Sequence, residues 1–127
     1  MRLLLSALCL AIVASGCASN GMSRNDRVAL YQQHAGDPVG SFKSWTRNLQ
    51  WRALSNDALV VWARPNEAFL LEFRNSCPGL ISAREITISN SGQLVAAGFD
   101  SVRITSPLAN RTACRITTIR PLDLPAI

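Results

Sequence analysis

The most regular apolar pattern lies at the centre of the chain, between residues 56 and 77. Two apolar runs, residues 59–63 and 68–73, flank the sequence Arg-Pro-Asn-Glu at residues 64–67. Proline presets φ for the second position of a turn and asparagine is tolerated at the third, so the pattern predicts a β-hairpin. Both runs are apolar on both faces, which places the hairpin in the middle of a sheet or barrel and not at its edge.

The register of this hairpin follows from the predicted turn. If Ala63 faces Ala68, then Trp62 faces Phe69 and Val61 faces Leu70. One face of the hairpin would then hold Trp62, Val60, Phe69, Leu71 and Phe73, and the other would hold Leu59, Val61, Ala63 and Leu70.

One helix is predicted before the hairpin, over residues 23–35. Ser23 or Asn25 can cap it, and Val28, Tyr31 and Ala35 fall on one side. The other patterns are β-type: residues 42–45 with a bulge or bend, 49–54, 80–89 with Ile86 and Ile88 inward, 93–105 as one or two strands broken near Gly98, and 114–120. We therefore expect a mainly β (α+β) fold, a small antiparallel sheet or barrel of about seven short strands with one N-terminal helix.

The N-terminus carries a targeting pattern. Arg2 is followed by an apolar stretch, residues 3–13, that is too short to span a bilayer stably. Ala14-Ser15-Gly16-Cys17 then resembles the bacterial lipobox, with alanine where leucine is more usual; the resemblance implies that Cys17 is acylated, as by palmitate, and becomes the mature N-terminus. The predicted organisation is a signal peptide over residues 1–16, a lipidated cysteine with a tether over 17–23, and one periplasmic domain over 24–127. The alternative is an ordinary secretory leader cut near this point.

The four cysteines are sorted by this organisation. Cys9 leaves with the leader and Cys17 takes the lipid, so Cys77 and Cys114 remain as a pair in an oxidising compartment. A disulfide between them is worth about 4 kcal/mol in the chain-entropy model. A shared metal site is the alternative, but two cysteines and one distant histidine fall short of tetrahedral zinc ligation. We expect no metal and no cofactor.

Several segments carry a family resemblance. They are Trp51, residues 58–71 (ALVVWARPNEAFLL), 77–80 (CPGL), 98–102 (GFDSV), 114–116 (CRI) and 119–123 (IRPLD). In this order they resemble the DUF6491 family of small bacterial lipoproteins of unknown function. The resemblance supports the lipoprotein interpretation and the paired cysteines, and it implies no activity.

Catalytic patterns are weak. The one histidine, His34, lies in the last turn of the predicted helix, and no Gly-x-Ser-x-Gly motif accompanies it. Among the carboxylates, Asp100 and Asp123 each follow an apolar residue near a strand end. Each is either a polar anchor for a ligand or a structural group, namely a turn cap or the ion-pair partner of Arg103 or Arg120. We therefore predict that the protein is not an enzyme.

Three tryptophans are candidates for a binding groove. Trp45, Trp51 and Trp62 could line a site for a peptide or a glycan, with Asp100 and Asp123 as polar groups, or they could form the core that a small domain needs. The net charge of +5 and the pI of about 9.7 come from basic residues that are spread along the chain. The charge indicates a solvated surface or attraction to an anionic envelope ligand such as lipid phosphate.

These observations predict an envelope lipoprotein that is anchored in the membrane, in the outer membrane facing the periplasm because Ala18 follows the cysteine. Its expected role is a non-enzymatic binding or interaction module for an envelope protein or an anionic envelope ligand. The alternatives are an inhibitor of a periplasmic or host enzyme, and a small cell-envelope hydrolase that uses Asp100 or Asp123. Export and the lack of a recognisable motif argue against nucleic acid as a partner.

Overall fold

The structure, a computed structural model, describes residues 23–45, 49–107 and 113–124. The predicted signal peptide, Cys17 and nearly all of the tether lie outside these residues. The described part is mainly β, with one helix and eight strands where about seven were predicted. They are α1 (Arg24–Gln33), β1 (Ser41–Lys43), β2 (Gln50–Ala53), β3 (Ala58–Arg64), β4 (Glu67–Phe73), β5 (Glu85–Ile88), β6 (Leu94–Ala96), β7 (Ser101–Ser106) and β8 (Ala113–Pro121).

Six strands form one curled antiparallel sheet in the order β2-β3-β4-β8-β7-β5, and β1 and β6 form a separate two-stranded ribbon. The hairpin β3–β4 lies inside the large sheet with a neighbour on each side, which confirms its predicted central position. The sheet ends at β2 and at β5, so the description as a barrel holds only approximately.

The predicted register of the hairpin is wrong by one residue. Trp62 faces Ala68 and Val61 faces Phe69, while Ala63 is the extra residue of a bulge between Trp62 and Arg64. Pro65 cannot adopt the positive φ that the twist-matched two-residue hairpin turns require, so the bulge adjusts the strands to the turn instead. The side chains that share a face within each strand were predicted correctly. Across the hairpin, however, Leu59 and Val61 share a face with Phe69 and not, as predicted, with Leu70.

The inner, concave face of the sheet carries the larger core. Leu59, Val61 and Phe69 from the hairpin pack there with residues of β7 and β8. The β1–β6 ribbon covers this face, because Val95 is fully buried and the Phe42 ring stacks on Phe69 with 4.7 Å between centroids.

Helix α1 covers part of the outer face. Its one buried side chain, Tyr31, packs with Val60 and Leu70, and Val28 is partly buried beside them, as the helical pattern predicted. Ala35 is also partly buried there, but α1 ends at Gln33, so the predicted helix over residues 23–35 is too long at its C-terminal end. The Ser23 hydroxyl oxygen accepts the Asp26 N–H at 3.1 Å and caps the helix.

The disulfide between Cys77 and Cys114 is present, with 5.7 Å between the Cα atoms, which confirms the predicted pair. It joins the loop after β4 to the beginning of β8. The strand predicted over residues 80–89 is wrong in its first part, which follows this loop. Its first part is a 3₁₀ turn, Leu80–Ser82, because Gly79 adopts a positive φ of 84° and Leu80 is fully buried. Only the second part, β5, forms a strand, with Ile86 and Ile88 against the inner core as predicted.

Candidate functional site

A cleft of about 930 Å³ lies between the two edges of the large sheet. Inner-face side chains of Leu49 and Trp51 line it from the β2 side, and Val95 of the β1–β6 ribbon also lines it. The size lies in the range of about 300–1,000 Å³ that is typical of ligand clefts. This cleft is the candidate binding site.

Strand β5 borders the cleft along its backbone. All four of its residues, from Glu85 to Ile88, line the cleft, although neighbouring side chains point to opposite faces of a strand. Contact with both faces means that the cleft runs along the open edge of β5.

The hydrogen-bond pattern identifies which backbone groups face this edge. Ser89 lies opposite Ser101 and donates its N–H to the Ser101 carbonyl at 3.0 Å. Bonded and non-bonded pairs alternate in an antiparallel ladder, so Thr87 exchanges hydrogen bonds with β7 while Ile86 and Ile88 do not. The N–H and C=O groups of Ile86 and Ile88 therefore point into the cleft, and the described part of the chain provides no partner for them.

Strand β2 is the opposite edge. Leu54 donates its N–H to the Ala58 carbonyl at 2.9 Å, and the same alternation turns the backbone groups of Trp51 and Ala53 away from β3. Every pair of neighbouring strands from β2 to β5 is antiparallel, so β2 and β5 run in opposite directions. A single added strand could thus be antiparallel to only one of them.

Two of the predicted groove tryptophans lie at this cleft. Trp51 packs its side chain partly against the inner core. Trp45 is 47% exposed at the rim, where Lys43 Nζ and Arg64 Cζ lie over its ring at 4.1 and 4.2 Å from the centroid. Such cation–π contacts hold the ring in place and leave less of its face free for a sugar.

The structure does not bring the other three predicted groove residues to the cleft. Trp62 is partly buried on the outer face, with the cluster under α1. Asp123 is exposed after β8, and its backbone N–H donates to the His34 carbonyl at 2.9 Å.

Asp100 is buried and holds the turn between β6 and β7. Its Oδ1 accepts the Ser89 hydroxyl at 2.8 Å, and its Oδ2 accepts the Ala96 N–H at 2.7 Å. Both carboxylate oxygens are therefore engaged in the fold, which fits the turn-cap interpretation. Arg120, one of the ion-pair partners considered for the two aspartates, lies instead 3.8 Å from Glu72.

Metal sites in proteins require several histidine, cysteine, aspartate or glutamate side chains close together. No cluster of three or more histidine, cysteine, aspartate or glutamate side chains is placed to hold a metal ion within that part of the chain. His34 lies at the C-terminal end of α1 and is not among the residues that line the cleft.

The backbone edge of β5 is the part of the site that the sequence did not predict. The alternation of Ile86 and Ile88 with polar residues predicted which side chains point inward. No local pattern indicates that a strand will have a neighbour on one side only, because strand order depends on pairing between distant segments.

Fold and cleft together define a small, disulfide-bonded, mainly β protein with an open site between its sheet edges. The chain belongs to DUF6491, a family of unknown function, whose match covers residues 1–127. Comparisons with curated proteins and with solved structures found no match. Among the described residues, no helix has the length and hydrophobicity needed to cross a bilayer.

Proposed function

We propose that this protein is a non-enzymatic binding module of the cell envelope, anchored by a lipid on Cys17, and that it binds an extended polypeptide segment in the cleft beside β5. The observation that carries the proposal is the open edge of β5, where the backbone groups of Ile86 and Ile88 point into the cleft. Backbone donors and acceptors in this arrangement match those of another strand.

The ligand is a peptide because the recognition groups are those of a backbone. An extended segment antiparallel to β5 satisfies the N–H and C=O groups of both isoleucines, and antiparallel pairs are the more stable kind. Because β2 runs in the opposite direction to β5, a segment that is antiparallel to β5 would be parallel to β2. We therefore expect it to contact β2 through the side chain of Trp51 and not through backbone pairing.

The lining of the cleft sets the side chains that the peptide needs. Every second residue of the segment would point towards Trp51, Ile86, Ile88 and Val95, so apolar side chains are favoured there. The residues between them would lie beside Thr87 on the solvent side and tolerate polar groups. We thus expect a ligand with alternating apolar and polar residues.

A lipid anchor on Cys17 would keep the cleft, and any partner bound in it, close to the membrane. The sequence resembles a lipobox at Cys17, and five residues lie between Cys17 and the helix cap at Ser23, so the six steps from Cys17 to Ser23 span at most about 22 Å. A partner held in the cleft would stay close to the membrane. The alternative role is that this protein inhibits a periplasmic or host enzyme by binding one of its segments in the cleft. The hydrolase alternative loses its support at Asp100, whose oxygens are occupied by the turn.

Photo-crosslinking in the native envelope tests this proposal. The full chain is produced with a benzoylphenylalanine probe at Thr87, which is exposed and lines the cleft, and in a matched form at Gln33, which is exposed on α1. We expect polypeptide adducts from position 87 and none from position 33. Equal labelling at the two positions, or adducts that contain no polypeptide, would contradict the proposal.

Two substitutions at Ile88 separate backbone pairing from side-chain contact. Ile88→Pro removes an N–H that the β5–β7 ladder does not use, which an edge strand tolerates. Ile88→Ala shortens the side chain and keeps the N–H. We expect Ile88→Pro to abolish the adducts and Ile88→Ala to keep most of them, with thermal midpoints lowered to a similar extent because both changes remove the same contact with the inner core. If both variants lost the adducts equally at similar midpoints, strand addition would be refuted.

A further inference from the structure

We propose that a second surface, formed by the turn at residues 96–100 and two arginines beside it, contacts an anionic lipid bilayer. The turn carries Phe99, which is 84% exposed. The arginines are Arg74 and Arg115, which line a separate cavity of about 530 Å³ together with Gly98. We call these residues the Phe99 surface.

The turn is built to hold Phe99 in a fixed position. Gly98 adopts a positive φ of 83° and donates its N–H to the Ile116 carbonyl at 2.7 Å. The Phe99 and Asp100 N–H groups both donate to the Ala96 carbonyl, and the buried Asp100 carboxylate closes the turn from the other side. A single exposed apolar side chain is common on protein surfaces. Here the fold fixes that side chain at the tip of a rigid turn.

The cations beside the turn are available for a ligand. Arg115 lies opposite Ser101, one residue beyond the turn, and both Arg74 and Arg115 are exposed. Neither guanidinium group makes an ion pair or hydrogen bond to any described residue, and no carboxylate is among the described residues that line the cavity. Helix α1 covers the outer face over the hairpin, so it leaves this end of β8 open.

An exposed aromatic side chain with unpaired arginine side chains nearby matches the boundary of an anionic membrane. Phenylalanine gains from burial at the level of the acyl chains, and arginine is attracted to the phosphates of anionic lipids. The Phe99 surface shares no residue with the lining of the cleft beside β5. The inference therefore stands apart from the proposed peptide ligand, and the domain could contact the bilayer while the cleft stays open.

Fluorine NMR of the full chain reconstituted in vesicles tests the inference. The chain has four phenylalanines, and Phe42, Phe69 and Phe73 are buried, so 4-fluorophenylalanine reports Phe99 beside three internal references. A lipid that is spin-labelled near its headgroup broadens nuclei close to the bilayer surface. We expect selective broadening of the Phe99 resonance in vesicles of phosphatidylglycerol and phosphatidylcholine, and much less in phosphatidylcholine alone.

Charge variants test the role of the arginines. Arg74→Ser and Arg115→Ser should each lower the ratio of docked to undocked domain about fivefold in the anionic vesicles. Arg52→Ser on β2 removes the same charge from another part of the sheet and should change the ratio less than twofold. The inference is overturned if Phe99 broadens no more than the buried phenylalanines, if both vesicle types broaden it equally, or if the Arg74 and Arg115 variants behave like Arg52→Ser.

Discussion

The effect of replacing Asp100 on the free energy of unfolding shows whether this residue stabilises the fold or is free to bind a ligand. In Asp100→Ala the Ala96 N–H and the Ser89 hydroxyl lose acceptors at 2.7 and 2.8 Å. Hydrogen bonds to a charged group contribute about 1.5–3 kcal/mol each. We take the lower value because the residue keeps 8% exposure, so water can replace part of the loss. The expected cost is about 3 kcal/mol, a large fraction of the 5–15 kcal/mol that is typical of a domain.

Asp100→Asn should cost less, for a reason that the geometry provides. The amide oxygen can still accept the Ala96 N–H, while the amide nitrogen faces the Ser89 oxygen. That oxygen already accepts the Ser101 N–H at 2.9 Å and has a second lone pair for the new donor. We expect a cost of about 1 kcal/mol, close to that of one hydrogen bond.

Urea denaturation measures both costs, with Asp123→Ala as the control because its carboxylate is exposed and hydrogen-bonds no described residue. That control should change the free energy of unfolding by less than about 0.5 kcal/mol. In thermal unfolding, Asp100→Ala should lower the midpoint by about 10–20 °C. The reasoning is refuted if Asp100→Ala is no more destabilising than Asp123→Ala.

Two further predictions concern the cysteines. Cys77→Ser and Cys114→Ser should each lower the free energy of unfolding by about 4 kcal/mol, and the double variant should add nothing, because either change breaks the same disulfide; additive losses in denaturant titrations would contradict this. Metabolic labelling with an alkynyl palmitate analogue should mark the full chain and not Cys17→Ser, and label that persists in the variant would exclude Cys17 as the lipidation site.

The sequence predicted those parts of the fold that depend on local pattern. Apolar alternation identified β2, continuous apolar runs identified the two strands of the hairpin, and a β-type pattern identified β8. The spacing of Val28 and Tyr31 identified the buried side of α1. The sorting of cysteines identified the disulfide. Each of these depends on residues that are close in sequence or on a simple count.

The errors arose where a local choice depends on distant contacts. The bulge at Ala63 follows from the turn at Pro65, yet its position has to satisfy neighbours on both sides of the hairpin. The 3₁₀ turn at Leu80 replaces a strand because the segment is tied to β8 through Cys77, and because the Ile81 N–H donates to the Asn56 side chain at 3.0 Å.

The candidate site was predicted only in part, for the same reason. Composition pointed to Trp45 and Trp51, which lie at one cleft, and also to Trp62, which packs under α1. The faces of Trp51 and Trp62 depend on strand register across the sheet. The open edge at Ile86 and Ile88 depends on the strand order, which no local pattern contains.

Amide hydrogen exchange at β5 tests the proposed strand addition most directly. Peptides selected from a random display library on the full chain serve as the probe, and exchange is followed by NMR with and without the tightest peptide. In the free protein the Ile86 and Ile88 amides should exchange fast, while Thr87 is protected by its pairing with Arg103. The account predicts that bound peptide slows exchange at Ile86 and Ile88 and leaves Thr87 nearly unchanged. Binding that leaves both isoleucine amides fast would contradict the account.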